Sequence, residues 1–347
     1  MSRIRILIVV LLFAICASPL AAHYWLSKTG EEMTIKAQKF VATLSAEQQA
    51  KALLSYENPK RLDWHFIPKN DRKGVQLRDM SDDQRAAAHD LLKSCLSEIG
   101  YDKATKIMEL EQLLHELETR RKANVNVRDS LRYYFTLFGA PAADQKWGLS
   151  IEGHHLSLNF VVEKGEVVSS TPTVFCTNPA IVKTDILPAV PQGRRVLAKE
   201  ETLAFDLLAT LTEEQQTAAV LADVAPKEVR TPGSPQPPTE AAVGLSAGKM
   251  DEKQQQLLHQ LIDTYCESVP ADVAAARQAA IKEAGFDQVY FCWMGARKPG
   301  VGHYYRLQGP SFVVELVNTQ PDAEGNPANH VHCLWRDMAG DFALPIK

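Results

Sequence analysis

Short motifs recur in the same order in the two halves of this chain, and that recurrence limits the folds open to it. Ala42-Thr43-Leu44-Ser45-Ala46-Glu47-Gln48-Gln49 returns as Ala209-Thr210-Leu211-Thr212-Glu213-Glu214-Gln215-Gln216. Met80-Ser81-Asp82-Asp83-Gln84 with His89 returns as Met250-Asp251-Glu252-Lys253-Gln254 with His259. Phe138-Gly139-Ala140 matches Met294-Gly295-Ala296, Ile151-Glu152-Gly153 matches Leu307-Gln308-Gly309, and Val174-Phe175-Cys176 matches Val331-His332-Cys333. The offset drifts while the order holds, which is the pattern of a duplicated unit with unequal insertions. We read a first repeat over 31–197 and a second over 198–347.

Within each half a helical period gives way to a period of two. Residues 31–55 read as helix with Ser45 as a cap inside it. Residues 57–78 read as an irregular packed loop around Trp64, His65 and Phe66. Ser81 with Gln84 is a capping box opening a helix whose stripe is Leu91, Leu92, Cys95, Leu96 and Ile99. A further helix spans about 103–121, and a shorter one leads to Tyr133. After Gly139-Ala140-Pro141, Leu156, Leu158 and Phe160 alternate with His155, Ser157 and Asn159, as in a half-buried antiparallel strand. Lys164-Gly165 is the turn to a returning strand over 166–174, and 180–197 is loop. The Pro- and Gly-rich stretch 225–248 reads as a mobile surface loop. A strand group with one apolar face cannot bury everything alone. The expectation is therefore a pseudo-twofold α+β fold: the strands of both halves form one shared sheet or two packed ones, with helices outside.

The ends and the composition bound function. Arg3 and Arg5, the apolar run Ile6 to Cys16, and Ser18-Pro19-Leu20-Ala21-Ala22 read as a signal peptide over 1–22. The chain is then exported, periplasmic or extracellular, or else anchored by an uncleaved N-terminal segment, with no other stable membrane span. A formal net charge of -4 gives no electrostatic case for nucleic acid. Beyond the leader, Cys95, Cys176, Cys266, Cys292 and Cys333 are odd in number and widely spaced, against a disulfide-dense scaffold or a CxxC metal site.

Histidines carry the chemistry. His330 and His332 lie two apart in a strand pattern, so both leave one face with α-carbons about 7 Å apart, a spacing that lets two imidazoles converge on one ion. Aligned on Val174-Phe175-Cys176, the first half has Thr173 and Phe175 at their positions. Read as strand, adjacent His154 and His155 point to opposite faces: His154 joins the apolar core, and His155 joins Ser157 and Asn159 on the polar face. Asn159 aligns with Glu315, an acid in an apolar strand that must be paired or bind something; Arg306 and Arg336 are the expected partners. His303 stands at a strand start beside Tyr304 and Tyr305. The metal candidates are thus His155, His303, His330 and His332, which would suit Zn, Cu or Fe. Glu315, Arg306 and Arg336 are candidate catalytic residues, and His155, Asn159, Tyr305 and Asn329 candidate ligand contacts. GxSxG, HExxH, Walker A and Rossmann glycine motifs are absent.

The chain resembles the domain-of-unknown-function 3500 family of exported bacterial and fungal proteins over roughly residues 40–343. The resemblance rests first on Trp147-Gly148, Gly153 to Asn159, Thr171-Pro172 and Asn178-Pro179. It rests further on His303 to Pro310, Glu315, Asn318-Thr319-Gln320, Asn329 to His332, Trp335-Arg336-Asp337 and Asp341-Phe342. Cys176 stands where the family more often has Gly, and Leu316-Val317 replaces a Tyr-Asp pair, removing an acid. The resemblance implies a boundary and a motif set, not an activity. Two functions fit: a metal-dependent hydrolase or oxidase-type enzyme with a His-rich site between the repeats, or a non-catalytic binder of a carbohydrate or organic acid. The partner in either case is a small or polymeric ligand.

Overall fold

The residues form eight α-helices and thirteen strands in a computed structural model that describes residues 29–121 and 128–346. The expected leader, 1–22, lies outside the described residues. In chain order the first half comprises α1 (Thr29–Thr43), α2 (Ala46–Ala52), β1 (Leu53–Leu54), β2 (Val75–Gln76), α3 (Asp82–Cys95), α4 (Glu98–Arg120), β3 (Tyr134–Phe138), β4 (Lys146–Gly153), β5 (Leu156–Glu163), β6 (Glu166–Ser169) and β7 (Thr173–Phe175). The second comprises α5 (Ala198–Thr210), α6 (Glu213–Ala219), β8 (Val220–Ala222), β9 (Leu245–Ser246), α7 (Glu252–Cys266), α8 (Ala271–Ala284), β10 (Tyr290–Gly295), β11 (His303–Gln308), β12 (Phe312–Asn318) and β13 (Val331–Asp337). All strands join one large open mixed sheet in the order β1-β3-β4-β5-β7-β13-β12-β11-β10-β8, with β2, β6 and β9 attached at its sides. Its middle is the antiparallel contact of β7 with β13, where Val174 faces Leu334 and Thr173 faces Trp335.

The helices start where the sequence offers caps. Ser45, Ser81, Thr212 and Asp251 each accept the backbone N–H three residues on, and Gln48, Gln84, Gln215 and Gln254 close the four boxes. These glutamines also bond one another between helices. Gln84 Nε2 donates to Gln48 Oε1 (2.8 Å) and to the Thr43 carbonyl, while Gln254 Nε2 donates to Gln215 Oε1 (2.8 Å) and to the Thr210 carbonyl. A polar pair in a helix crossing thus fixes register where apolar packing alone would allow sliding.

The two faces of the sheet are covered differently. Leu156, Leu158 and Phe160 of β5, Tyr305 and Leu307 of β11, Phe312, Val314 and Leu316 of β12, and Val331, Cys333 and Trp335 of β13 pack against the helices in the main core. On the reverse face Val174, Cys292, Tyr304, Val317 and Leu334 pack under irregular chain that contributes Trp64, Phe66, Val229 and Phe342.

Four expectations change. The returning strand over 166–174 is two strands, β6 and β7, broken at 170–172. The helix over 31–55 is two helices, because Ser45 restarts the chain at α2 and residues 53–54 join the sheet. Among the described residues no helix leads to Tyr133; 128–133 form a turn, and 122–127 lie outside the described residues. The stretch 225–248 is not a free surface loop. Val229 is buried, the Ser234 carbonyl accepts from Trp64 Nε1 (2.8 Å) and Arg336 Nη2 (2.7 Å), and Arg230 pairs with Glu315. Its many prolines limit regular structure without preventing burial. No described helix is long and apolar enough to cross a membrane.

Gln254→Met keeps the bulk of a buried side chain but removes a capping partner and leaves the Thr210 carbonyl unpaired. We expect a loss of about 2–3 kcal/mol, read as a lower denaturant midpoint at unchanged slope; a change below about 0.5 kcal/mol contradicts the role assigned to the glutamine pairs.

Candidate metal centre

β4 and β5 are joined by a two-residue hairpin turn, since Gly153 pairs with Leu156. His154 and His155 are therefore the turn itself and not part of a strand, and the expected split onto opposite faces does not occur. Their rings stack at 3.6 Å. His155 adopts φ +64°, a left-handed conformation that costs a non-glycine residue about 1–2 kcal/mol. Two backbone bonds hold it there: its N–H donates to the Phe66 carbonyl (2.7 Å), and its carbonyl accepts from the Cys176 N–H (2.8 Å).

Across the sheet seam, His330 immediately precedes β13 and His332 lies within it. His330 is fixed by its N–H donating to Asn318 Oδ1 (3.0 Å). The three imidazoles meet at their Nε2 atoms: His155 Nε2 is 2.9 Å from His330 Nε2, which is 3.0 Å from His332 Nε2. One ligand atom from each of the three lies within 4.8 Å of the others. His155 and His332 are buried and His330 half-buried, so the open side of the cluster is at His330.

Proton placement makes this arrangement unusual. Glu228 holds His332 Nδ1 between its carboxylate oxygens at 2.9 and 2.8 Å, so Nδ1 carries a hydrogen, and in the neutral ring Nε2 is the acceptor that faces inward. His330 Nε2 then faces two nitrogens, and one hydrogen can bridge only one of the contacts. Burial, reinforced by the neighbouring imidazoles, pushes His155 well below its usual range and His330 down to about 3, so both are neutral at ordinary pH. A cation at the centre would resolve the opposed lone pairs. With metal–nitrogen bonds of about 2.0–2.1 Å, nitrogens this far apart subtend about 90–95° at a common ion. Two of the three nitrogen pairs thus fit adjacent positions on one ion, and three protein ligands leave positions over for others.

Beside it, His154 sits against Glu111 of α4, and a ligand atom from each lies within 4.8 Å of one from His155. Arg128 Nη1 is 2.9 Å from His154 Nδ1. The same guanidinium nitrogen lies 3.3 Å from His154 Nε2, and Glu111 Oε1 shares Nδ1 with it. Burial raises Glu111 to about 8. Phe66 places its ring edge-on to His332 at 4.8 Å, giving the cluster an apolar wall.

The other candidates lie elsewhere. His303 is on the helix side, stacked on Trp293 at 5.4 Å and 3.3 Å from Glu201. Tyr305 is on that side too, its hydroxyl donating to the Glu200 carbonyl at 3.0 Å. Glu315 is fully buried on the reverse face, and its partners are Arg230 Nε (2.9 Å) and the Tyr304 hydroxyl (2.9 Å) rather than Arg306 or Arg336. Arg336 pairs with Asp341 at 2.6 Å. Arg306 is buried opposite Glu315 in the ladder, with Nε unpartnered. Asn159 donates to the Pro172 carbonyl (3.0 Å). Asn329 is spent on Ile181 and Asp322, tying a loop to the approach of His330. Sequence reasoning missed Glu228, Glu111 and Phe66. Only Glu111 left a clear sign, an acid within the apolar stripe Ile107, Leu110, Leu114, Leu117.

Glu201 offers a pH test. Burial opposes its charge, but hydrogen bonding and attraction from His303, with Asn318 and Arg195, outweigh this and lower it to about 2. A depressed acid contributes stability above its unfolded value and loses it as pH falls through the folded one. The stability gap between wild type and Glu201→Gln should therefore narrow by about 2–4 kcal/mol between pH 5 and pH 2, measured by denaturant titration; a gap constant with pH contradicts the pairing.

No curated protein and no solved structure matches the chain. The model of a family described as protein of unknown function (DUF3500) matches residues 27–344, nearly the whole chain, and the chain therefore belongs to the DUF3500 family.

Proposed function

We propose that this is an exported metal-dependent enzyme of hydrolytic type, in which His155, His330 and His332 hold one transition-metal ion through Nε2. The observation that carries the reading is the meeting of three imidazole Nε2 atoms through contacts of 2.9 and 3.0 Å, with Glu228 on His332 Nδ1 leaving Nε2 as the nitrogen that faces the other two. A carboxylate on the far nitrogen of a ligating histidine orients the ring and raises its basicity. The ion would supply Lewis acidity and activate water. His154 and Glu111 form a hydrogen-bonded pair beside the cluster, placed to pass a proton to or from a substrate bound on the His330 side. Phe66 and the packed loop around it keep bulk water from the buried side.

The site also reads as the junction of two copies of one unit. Supporting this, β1 runs parallel to β3 as β8 does to β10, and β2 pairs antiparallel with β3 as β9 does with β10. Thr173 faces Leu158 as Trp335 faces Val314. By that ladder His332 corresponds to Ser170 and His155 to Ser311. The short match of Val174-Phe175-Cys176 to Val331-His332-Cys333 is then out of register.

Purified chain reconstituted with Zn, Cu or Fe should retain about one equivalent. His155→Asn tolerates the left-handed turn and His330→Ala is half-exposed, so both variants should fold and lose the ion. Glu228→Gln should weaken binding about 10–100-fold. Substoichiometric metal in wild type, or retention in both histidine variants, overturns the metal site. If metal binds but no ester, amide or glycoside is turned over, the enzymatic part fails and the binding function remains.

A further inference from the structure

A side chain of β12 ties the histidine cluster to the helix layer. Asn318, the last residue of that strand, is buried and stands in the ladder row between His303 of β11 and Val331 of β13. Its Oδ1 accepts the backbone N–H of His330 (3.0 Å), and its Nδ2 donates to Glu201 Oε1 of α5 (2.9 Å). An ionised carboxylate only accepts and a backbone N–H only donates, so the two partners together fix which end of the amide faces which.

Glu201 is itself braced. Its Oε2 accepts from Nη2 of Arg195 (2.6 Å), just before α5, and its Oε1 lies 3.3 Å from His303 Nε2. His303 turns its other nitrogen to the Val301 carbonyl (2.9 Å), and its ring is fixed by Trp293, parallel at 5.4 Å, and by Phe205 of α5, edge-on at 4.8 Å. The other two ligands are held differently. His155 has its backbone bonds to Phe66 and Cys176, and His332 has its place in β13 and the Glu228 carboxylate. His330 stands just before the strand, and its N–H is held by a side chain instead, the one that Glu201 orients.

We propose that Glu201 is a positioning residue for the metal centre: it acts through Asn318 on the backbone of His330, so that α5 sets how tightly the three histidines hold their ion. The proposal rests on the three-histidine reading of the site. Metal–nitrogen bonds tolerate little displacement from about 2.0–2.1 Å. Groups that orient a ligand without touching the metal typically carry about 10–100-fold of its affinity. Without the carboxylate the amide of Asn318 is free to turn, and the His330 N–H loses a fixed acceptor. The imidazole then meets the ion from a backbone that drifts.

Zinc titration of the full chain against a chromogenic chelator tests this through a double-mutant cycle. Glu201→Met and Asn318→Leu should each weaken zinc by about tenfold or more, and the double variant should be no weaker than Asn318→Leu within about twofold. Asn318→Ser leaves room for a water on the released groups, keeps the chain folded should the larger changes not, and should weaken zinc to the same extent. Gln254→Met is the control: it lowers the denaturant midpoint and should leave zinc affinity unchanged. If wild type holds no zinc, the three-histidine reading falls and the proposal with it. If wild type holds zinc and Glu201→Met or Asn318→Ser binds it as tightly, the proposal alone is overturned. It is overturned equally if Glu201→Met keeps its full effect on top of Asn318→Leu, which would mean action through charge rather than through the amide, or if Gln254→Met weakens zinc as much.

Discussion

His155 and His330 are 175 residues apart, and they meet because of a few backbone hydrogen bonds at the seam of the sheet. Thr177 and Val331 exchange N–H···O bonds at 2.9 Å in both directions, and one residue earlier the Cys176 N–H holds the His155 carbonyl. The hairpin turn carrying His155 is thereby latched to the strand carrying His332. Everything proposed for the site depends on that latch, and a slip of one residue at the seam would turn His332 to the helix side. The capping glutamines hold register at both helix crossings, and the core beneath β7 and β13 leaves the seam little freedom.

The reverse face makes a different kind of demand. Its covering is irregular chain, which brings backbone groups and charges that need partners once buried. Arg230 meets Glu315, Arg336 meets Asp341 and the Ser234 carbonyl, and Glu228 meets His332. These bonds serve as fasteners for a segment that no helix or strand defines. They also explain why acids and arginines conspicuous in the strands, Glu315 and Arg336 among them, are consumed structurally. The same segment that supplies a fastener at Arg230 supplies the orienting carboxylate at Glu228, so folding of the cover and completion of the histidine set are one event.

Much of this was legible in the sequence, through signals of short range. The cap at Ser45, the capping box at Ser81, the alternation through β5, and the convergence of His330 and His332 on one face all follow from spacing. What spacing could not give was pairing between distant segments. His154 and His155 read as strand because the alternation on their C-terminal side runs into them, yet the tight pairing of Gly153 with Leu156 makes them a turn. His303 was grouped with the other histidines by residue type, but the pleat sends it with Tyr305 to the helix side. Glu228 sits in a proline-rich stretch whose composition suggests exposure, and only the fold of Val229 and Arg230 beneath it brings it to His332.

The most direct test of the account is a crystal of the metal-reconstituted chain, with diffraction data collected above and below the absorption edge of the added metal. A single anomalous peak is expected about 2.0–2.2 Å from the Nε2 atoms of His155, His330 and His332, with Glu228 still on His332 Nδ1. The absence of a peak there, with the three rings hydrogen-bonded to one another or turned apart, would contradict it.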